Sequence, residues 1–191
     1  MTRMRSALAA MVVAALASAG ARAAAADVPP DKQAIIMLRV LAYDHALAAR
    51  AGAAVRLAVV HGESTMALAC AGRMRAALDD MVRRVVVIGK PLEVATLSVT
   101  DASGPALMRG GFSVLYMCGG SDADVAAVSQ AARMAHVLTF TDQASYLARG
   151  LSIALSEEQT RVGISVNLVA ARAEGARLAG QLLRLSKVVA R

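Results

Sequence analysis

The segment Phe112-Ser-Val-Leu-Tyr-Met-Cys118-Gly-Gly-Ser121-Asp122 indicates the fold class of this chain. Its first part, Phe112–Met117, is a continuous apolar run, which is typical of a strand buried on both faces. The two glycines mark a tight turn, and the serine can cap a helix that we predict over Asp122–Ala135. A second strand is predicted over Val137–Phe140, so this segment has the strand–helix–strand order of a parallel βαβ unit.

The same alternation continues in both directions along the chain. Val55–Val60 is a short apolar run between two glycines, and it predicts another buried strand. Ser64 or Thr65 can cap the helix that follows, which ends near Arg83. The remaining predicted elements are a helix from Asp31 to between Ala49 and Gly52, strands over Val85–Ile88 and Leu92–Val99, a loop or short helix over Asp101–Gly111, a short helix capped by Asp142 and ending at Leu147, a hairpin with strands over Leu151–Leu155 and Val162–Val166 around a turn at Ser156–Arg161, and helices over Leu168–Glu174 and Leu178–Val189.

Strands that alternate with helices of this length predict a mostly parallel sheet with helices on both of its faces. The late hairpin predicts an antiparallel element at one edge of that sheet. No internal repeat or linker interrupts the pattern, and the length suits one core. We therefore expect an α/β fold in which residues 27–191 form a single three-layer domain.

The N-terminus has the three-part pattern of a secretory signal peptide over residues 1–26. A basic start precedes an uncharged apolar run from Ala7, and small residues follow. Cleavage after Ala23 and cleavage after Ala26 fit this pattern equally well. The apolar run is about 15 residues long, whereas a bilayer-spanning helix needs ~20. We expect a periplasmic chain that is not inserted in a membrane, with an uncleaved anchor as the alternative.

The charge of the exported part argues against a nucleic-acid partner. From Asp27 onward the chain has 18 basic and 14 acidic residues. A mild positive excess spread over a domain does not specify nucleic acid. Proteins that bind single strands also stack bases on aromatic side chains. Five aromatic residues follow the signal: Tyr43, Phe112, Tyr116, Phe140 and Tyr146.

The turn Gly119-Gly120-Ser121 lies between a strand and a helix, where phosphate-binding loops occur. The alternative is a tight turn in which Ser121 acts as the helix N-cap. Asp122 and Asp124 favour the alternative, because carboxylates in the first helical turn repel a bound phosphate. The glycine spacing of nucleotide-binding loops is also absent, so we expect no cofactor.

Three further residues suggest chemistry at the end of the first strand. His61, Cys70 and Cys118 could share one edge of the sheet and hold a metal ion, although a polar strand end beside a disulfide explains them better. His61, Glu63 and Ser64 could form a hydrolase site, although the chain lacks the G-x-S-x-G turn that exposes a nucleophile. We therefore expect no metal site, no catalytic residue and no enzymatic activity.

The two cysteines are predicted to meet. Cys70 falls early in the helix after the first strand, and Cys118 directly follows another strand. In a parallel βαβ fold, helix starts and strand ends share one edge of the sheet, so a Cys70–Cys118 disulfide can form if those strands are neighbours. The periplasm favours disulfides, and two buried free thiols are the alternative.

Basic residues are frequent in the two closing helices. Arg172, Arg177, Arg184 and Lys187 are candidates for a partner-binding surface, because basic charge can steer association with an acidic domain. The alternative is a solvated face whose cations complement the helix dipoles.

The C-terminal third resembles the YfiR-like periplasmic family. The similar segments are Tyr146-Leu-Ala-Arg-Gly150-Leu-Ser-Ile-Ala-Leu155, Arg161-Val-Gly-Ile-Ser-Val-Asn167-Leu-Val-Ala-Ala171-Arg-Ala-Glu-Gly175-Ala and Gln181-Leu-Leu-Arg-Leu185. Val40-Leu-Ala-Tyr43-Asp44 also fits one branch of the family. This chain departs from the four-cysteine arrangements in the family, because it has only two cysteines.

The resemblance implies a non-enzymatic signalling protein. The best-known family member represses a membrane-bound diguanylate cyclase by binding its periplasmic sensor region, and an outer-membrane lipoprotein relieves the repression. We therefore expect a periplasmic regulator that binds and restrains a membrane sensor or diguanylate cyclase, which makes cyclic-di-GMP. The alternative is a binding module for a small periplasmic ligand. We also consider a homodimer.

Overall fold

The computed structural model describes residues 28–158 and 161–189. The expected signal peptide and residues Gln159–Thr160 of the expected hairpin turn lie outside these ranges. The helices are α1 (Pro30–Leu41), α2 (Leu47–Arg50), α3 (Thr65–Val82), α4 (Gly104–Arg109), α5 (Asp122–Ala135), the 3-10 helix Ala144–Arg149, α6 (Leu168–Ala173) and α7 (Gly180–Leu185). The strands are β1 (Val55–His61), β2 (Val86–Val87), β3 (Lys90–Ser98), β4 (Val114–Cys118), β5 (Leu138–Thr141), β6 (Ile153–Glu158), β7 (Arg161–Asn167) and β8 (Lys187–Val189).

The strands form one sheet in the order β2-β3-β1-β4-β5-β6-β7-β8. Neighbouring strands from β3 to β6 are parallel, as the sequence predicts. From β1 the chain first moves to β3 on one side and then returns to β4 on the other. This reversal is a topological switch point, where open α/β sheets form a crevice at the carboxyl ends of their strands.

Helices cover both faces of the sheet and create two cores. In β4, Tyr116 and Cys118 point to the core that contains residues of α1 and α3. Leu115 and Met117 point to the second core, which contains residues of α4 and α5. Successive side chains of a strand point to opposite faces, so a strand between two cores must be apolar throughout. The three-layer α/β prediction is confirmed.

The hairpin edge is confirmed in part. β6 and β7 pair antiparallel from Ile153↔Val166 to Glu158↔Arg161, so both strands extend into the predicted turn. β8 lies outside the hairpin and runs parallel to β7. The prediction of a helix over Leu178–Val189 is therefore wrong beyond Leu185, because the β-branched valines of β8 pair with the free side of β7.

The opposite edge also contains an antiparallel pair. The predicted strand Val85–Ile88 is reduced to the two residues of β2, which pair with the start of β3. Ile88 and Gly89 both have positive φ, at 50° and 80°. This tight turn reverses the chain and leaves β2 short.

The prediction of one helix from Asp31 to the Ala49–Gly52 region is wrong, because α1 ends at Leu41. Asp44 is only 3% exposed and accepts hydrogen bonds from the N–H groups of Ala46 at 2.9 Å and Arg177 at 2.8 Å. It also forms an ion pair with Arg50. These contacts bend the chain out of α1 and fix it to the segment between α6 and α7.

Candidate functional site

The loops that follow β1 and β4 pack against each other at the switch point. The N–H of Gly62 donates to the carbonyl of Gly119 at 3.1 Å. A Cβ atom at Gly62 would lie only 3.1 Å from the Cα of Gly120, and Gly119 has a φ of +54°. Residues with side chains would therefore strain this contact, so the glycine-rich turn has a structural role.

The turn after β4 is a helix cap and not a phosphate-binding loop, which were the two interpretations that the sequence allowed. Ser121 Oγ accepts a hydrogen bond from the N–H of Asp124 at 3.2 Å. Asp124 Oδ2 in turn accepts one from the N–H of Ser121 at 2.8 Å, which completes a capping box. The Asp124 carboxylate already occupies the start of α5, so this helix end does not offer a place for a phosphate.

A cleft of about 580 Å³ opens at the carboxyl ends of β1, β4 and β5. Its volume is in the range of small-molecule sites, and its place in the fold is where ligands of doubly wound sheets bind. Polar and apolar side chains both line it. The lining residues are Ser64, Met66, Ala67, Ala69, Cys70, Arg73, Gly119, Gly120, Asp142, Gln143 and Tyr146.

Cys70, in the wall of this cleft, is joined to the buried Cys118 as a disulfide, with Cα atoms 5.7 Å apart. This separation lies in the usual range for disulfides. Asp142 Oδ2 lies 3.9 Å from Cys70 Sγ. Bonded sulfurs are not available as thiolate ligands. Among the described residues, no group of three or more His, Cys, Asp or Glu side chains could hold a metal ion.

The residues considered for a hydrolase have local structural contacts. Ser64 Oγ accepts a hydrogen bond from the N–H of Ala67 at 3.1 Å and caps α3. His61 Nδ1 lies 3.0 Å from the carbonyl of its neighbour Gly62. Glu63 is exposed. Within the described ranges no hydrogen bond connects His61 with Ser64, so the structure does not assemble a nucleophile and its base.

Tyr146 was missed as a site residue. Its side chain is 8% exposed, and its hydroxyl donates to the carbonyl of Gly120 at 3.0 Å and accepts from the N–H of Gly120 at 3.1 Å. Burial, and then the nearby charges of Asp142 and Asp122, raise its pKa. The neutral phenol therefore fixes the glycine turn on one side of the cleft. The available signal in the sequence was that Tyr146 is one of only five aromatic residues after the expected signal peptide.

The helix predicted after Asp142 is instead a 3-10 helix, Ala144–Arg149, and Gln143 occupies the N-cap position. Asp142 therefore does not serve as its N-cap, and its carboxylate lies beside the disulfide instead. Two residues, Asp142 and Gln143, separate β5 from this helix, and both line the cleft at the strand end.

A second missed residue is Glu174, which is fully buried directly after α6. Its carboxylate accepts hydrogen bonds from Thr139 N–H at 2.9 Å and Thr139 Oγ1 at 2.7 Å, and also from Ser152 Oγ. Burial raises its pKa to about 7, although these donors and the positive charge of Arg133 oppose the rise. Thr139 and Ser152 lie at the starts of β5 and β6, away from the cleft.

The four basic candidate residues lie near the C-terminal end of the chain and are all exposed. Among the described residues none of the four forms an ion pair. Leu185 follows Arg184 in α7 and is 71% exposed, and Val188 follows Lys187 in β8 and is 43% exposed. The Lys187 and Val188 side chains point to opposite faces of the edge strand. We call Arg184, Leu185, Lys187 and Val188 the C-terminal surface. It combines apolar area with unpaired positive charge, whereas Arg172 and Arg177 lie earlier in the chain.

Comparison with protein families gives a match over residues 34–187 to the model described as DUF4154, YfiR/HmsC-like. Comparison with curated proteins gives no match. Among the described residues, no helix combines the length and the apolar character needed to cross a bilayer.

Several solved structures are similar in fold. A conserved domain protein from Vibrio cholerae O1 biovar El Tor has a TM-score of 0.57 at 14% identity, over 84% of this chain and 60% of that one. The ligand-free, open structure of CD0873, a substrate-binding protein with adhesive properties from Clostridium difficile, has a TM-score of 0.54 at 13% identity, over 75% and 57%. The ABC domain from Streptococcus pneumonia in complex with L-Trp has a TM-score of 0.55 at 7% identity, over 84% and 60%. The chain thus spans no more than about 60% of these proteins, and the similarity concerns the fold alone.

Proposed function

Because this chain belongs to the YfiR/HmsC-like family, we propose that it is a non-enzymatic periplasmic regulator that binds and restrains a membrane signalling enzyme, a diguanylate cyclase. The family match over residues 34–187 is the observation that carries this proposal. The signal-like N-terminus supports export to the compartment where such an enzyme exposes its sensor region.

Restraint of this kind needs only differential binding. A regulator shifts a two-state enzyme when it binds the inactive state more tightly than the active state. A ten-fold preference corresponds to about 1.4 kcal/mol, which a modest interface can supply without a cofactor.

We place this interface on the C-terminal surface. Arg184 and Lys187 carry exposed charge without an ion pair, so binding an acidic domain would not first require breaking an intramolecular pair. Leu185 and Val188 add apolar area that a partner can bury. Arg172 and Arg177 add positive charge that can increase the association rate.

Cellular cyclic-di-GMP tests this proposal. Deletion of the gene should raise its level, and an export-competent copy should restore it. The double variant Arg184→Glu/Lys187→Glu should fail to restore it, whereas Arg83→Glu/Arg84→Glu, which changes two exposed arginines after α3 by the same charge, should succeed. An unchanged cyclic-di-GMP level after deletion would contradict the proposal. If the two variants restored the level to the same extent, the C-terminal surface would be excluded as the partner interface.

Binding of a small periplasmic ligand is a second candidate function. The cleft of about 580 Å³ at the switch point supports it, as does the fold similarity to one protein that is described as a substrate-binding protein. Thermal unfolding with a panel of free amino acids tests it. A ligand should raise the melting temperature of the native chain and of Ala76→Phe, but not of Ala69→Phe, which fills the cleft. Both alanines are exposed on α3. No shift with any amino acid would count against this class of ligand.

A further inference from the structure

The exposed charges of the described chain are divided between the two ends of the sheet. In a parallel βαβ fold, a helix begins near the carboxyl end of one strand and ends near the amino end of the next. Exposed acidic residues lie where strands end and helices begin, at Glu63, Asp101 and Asp122. Exposed arginines lie at the opposite end, where helices end and strands begin. These arginines are Arg39, Arg109, Arg133, Arg172 and Arg177.

Hydrogen bonds show that the elements with these arginines meet at the amino ends of the strands. Arg56, at the start of β1, donates to the carbonyl of Gly110, directly after α4. Arg50, at the end of α2, donates to the carbonyl of His136, directly after α5, at 2.9 Å. The N–H of Arg177 donates to the buried carboxylate in the loop after α1 at 2.8 Å. The ends of α1, α4 and α5 and the segment after α6 therefore share one end of the molecule.

The five arginines keep their positive charge at this end. Among the described residues, none of the five forms an ion pair. Of the carboxylates near them, Asp44 and Glu174 are buried, and Glu93 is paired with Arg56. Four of the arginines lie in the last turn of a helix, where a cation complements the helix dipole. That role leaves their guanidinium groups exposed to solvent.

The positive charge extends over both layers of helices. Residues of α1 pack on one face of the sheet, and residues of α4 and α5 pack on the other, so the charge spans the thickness of the molecule. Arg83 and Arg84 do not add to it, because the exposed Asp79 and Asp80 precede them in α3 and offset their charge. A positive surface of this extent matches an extended array of negative groups, such as lipid headgroups.

Large apolar side chains are exposed on the same helices. Met108 lies in the last turn of α4 and is 52% exposed, and Met134 lies in the last turn of α5 and is 55% exposed. Val169, in the first turn of α6, is 56% exposed and lies three residues before Arg172, on the same face of the helix. We call the five arginines with these three residues the amino-edge surface. Basic charge and apolar area both strengthen binding to an anionic bilayer.

We propose that the amino-edge surface binds the exported chain reversibly to the surface of an anionic lipid bilayer. The strand starts then face the lipid, and the cleft at the carboxyl ends of the strands faces away from it. The opposite orientation is disfavoured, because it would bring the exposed Glu63, Asp101 and Asp122 against negative headgroups. Each basic residue near such a surface strengthens binding about five-fold. This inference does not depend on the identity of a protein partner.

Co-sedimentation with vesicles tests the charge requirement. The exported chain should bind vesicles of phosphatidylglycerol and phosphatidylcholine in equal parts, should not bind pure phosphatidylcholine, and should be released at about 1 M salt, where the Debye length is about 3 Å. Arg39→Glu/Arg109→Glu should weaken binding at least about 20-fold. The matched control is Lys32→Glu/Arg149→Glu, which changes two exposed residues nearer the carboxyl ends of the strands; there Arg149 pairs with Asp122 at the start of α5. This control should bind like the native chain.

Circular dichroism should show that both double variants are folded. Equal binding by the two double variants would overturn the proposal. So would a native chain that does not bind the anionic vesicles, or one that binds phosphatidylcholine equally well.

Tryptophan fluorescence tests the orientation and does not depend on the charge variants. The chain has no tryptophan, so Met108→Trp supplies the only indole. On vesicles that contain brominated phosphatidylglycerol, its emission should shift to the blue and be quenched. Met66→Trp, at an 84% exposed residue of the cleft, should show neither change. Equal quenching of the two variants, or no quenching of vesicle-bound Met108→Trp, would overturn the proposed orientation.

Discussion

The buried carboxylate of Glu174 accepts a hydrogen bond from the backbone N–H of Thr139 at 2.9 Å. Thr139 is the second residue of β5, which pairs with β6 only from Phe140↔Ile153 onwards. The Glu174 side chain therefore takes the place of a missing strand partner. The contact ties the end of α6 to the start of the parallel sheet.

The titration of Glu174 should make stability depend on pH. Its pKa is about 7 in the folded chain, against an ordinary value of 4.5. Between these values the folded state binds more protons than the unfolded state, so the free energy of unfolding falls as pH rises. The contribution is fully present below pH 4.5 and lost above pH 7, and it amounts to about 3 kcal/mol at most. Urea unfolding at pH 5 and pH 8 measures it.

Glu174→Gln should remove most of this pH dependence, since the amide does not titrate. Glu63→Gln, at an exposed carboxyl group, should keep it. The same slope in Glu174→Gln and in the native chain would show that another group titrates.

The Cys70–Cys118 disulfide is predicted to form in the exported protein and to stabilise it. The bond closes a loop with a sequence separation of 48 residues, for which the chain-entropy model gives about 4 kcal/mol. Thiol counting on unfolded, unreduced protein should give no free thiol. The double variant Cys70→Ser/Cys118→Ser should unfold at lower denaturant. Two free thiols per chain would contradict the prediction.

Removal of the Asp44 carboxylate should destabilise the chain strongly. Asp44→Ala leaves Arg50 without its ion-pair partner, and the N–H groups of Ala46 and Arg177 lose their acceptor. Breaking a buried pair on one side costs about 3–5 kcal/mol. Asp79→Ala, which breaks the exposed pair with Arg75, should cost at most about 0.5 kcal/mol. Equal losses of unfolding free energy in the two variants would refute the structural role of Asp44.

Export should produce a mature chain that begins at Ala24 or Asp27 and is recovered from the periplasm. The alanines that precede each cut, Ala21 and Ala23 or Ala24 and Ala26, satisfy the requirement for small residues at a signal cleavage site. N-terminal sequencing of the periplasmic fraction identifies the cut. An intact Met1 in the membrane pellet would instead indicate an uncleaved anchor.

Local sequence signals predicted the central strands well. The apolar run in β4 is explained by a core on each face, and Ser121 with Asp124 forms the capping box at the following helix. These features depend on neighbours in sequence, so the sequence alone can reveal them. The pairing of Cys70 with Cys118 could also be predicted from the sequence, because the parallel strand order places strand ends and helix starts at one edge of the sheet.

Features that depend on distant contacts were not predictable in this way. Lys187–Val189 continues an apolar helical pattern, and only the free side of β7 makes it a strand. Glu174 lies at the end of a helix, where carboxylates are usually solvated, and its burial depends on Thr139 and Ser152. The cleft is lined by three segments that are distant in sequence, namely the start of α3, the turn after β4 and the residues after β5. None of these segments indicated the cleft by itself.

Site-specific photo-crosslinking in the periplasm tests the central claim most directly. A photoreactive residue at Arg184, on the C-terminal surface, should crosslink to a membrane-bound diguanylate cyclase, and one at Arg83 should not. Recovery of the cyclase from position 184 alone, identified by mass spectrometry, is the predicted result. Absence of any diguanylate cyclase from the products of both positions, in cells that express one with a periplasmic region, would contradict the proposed function.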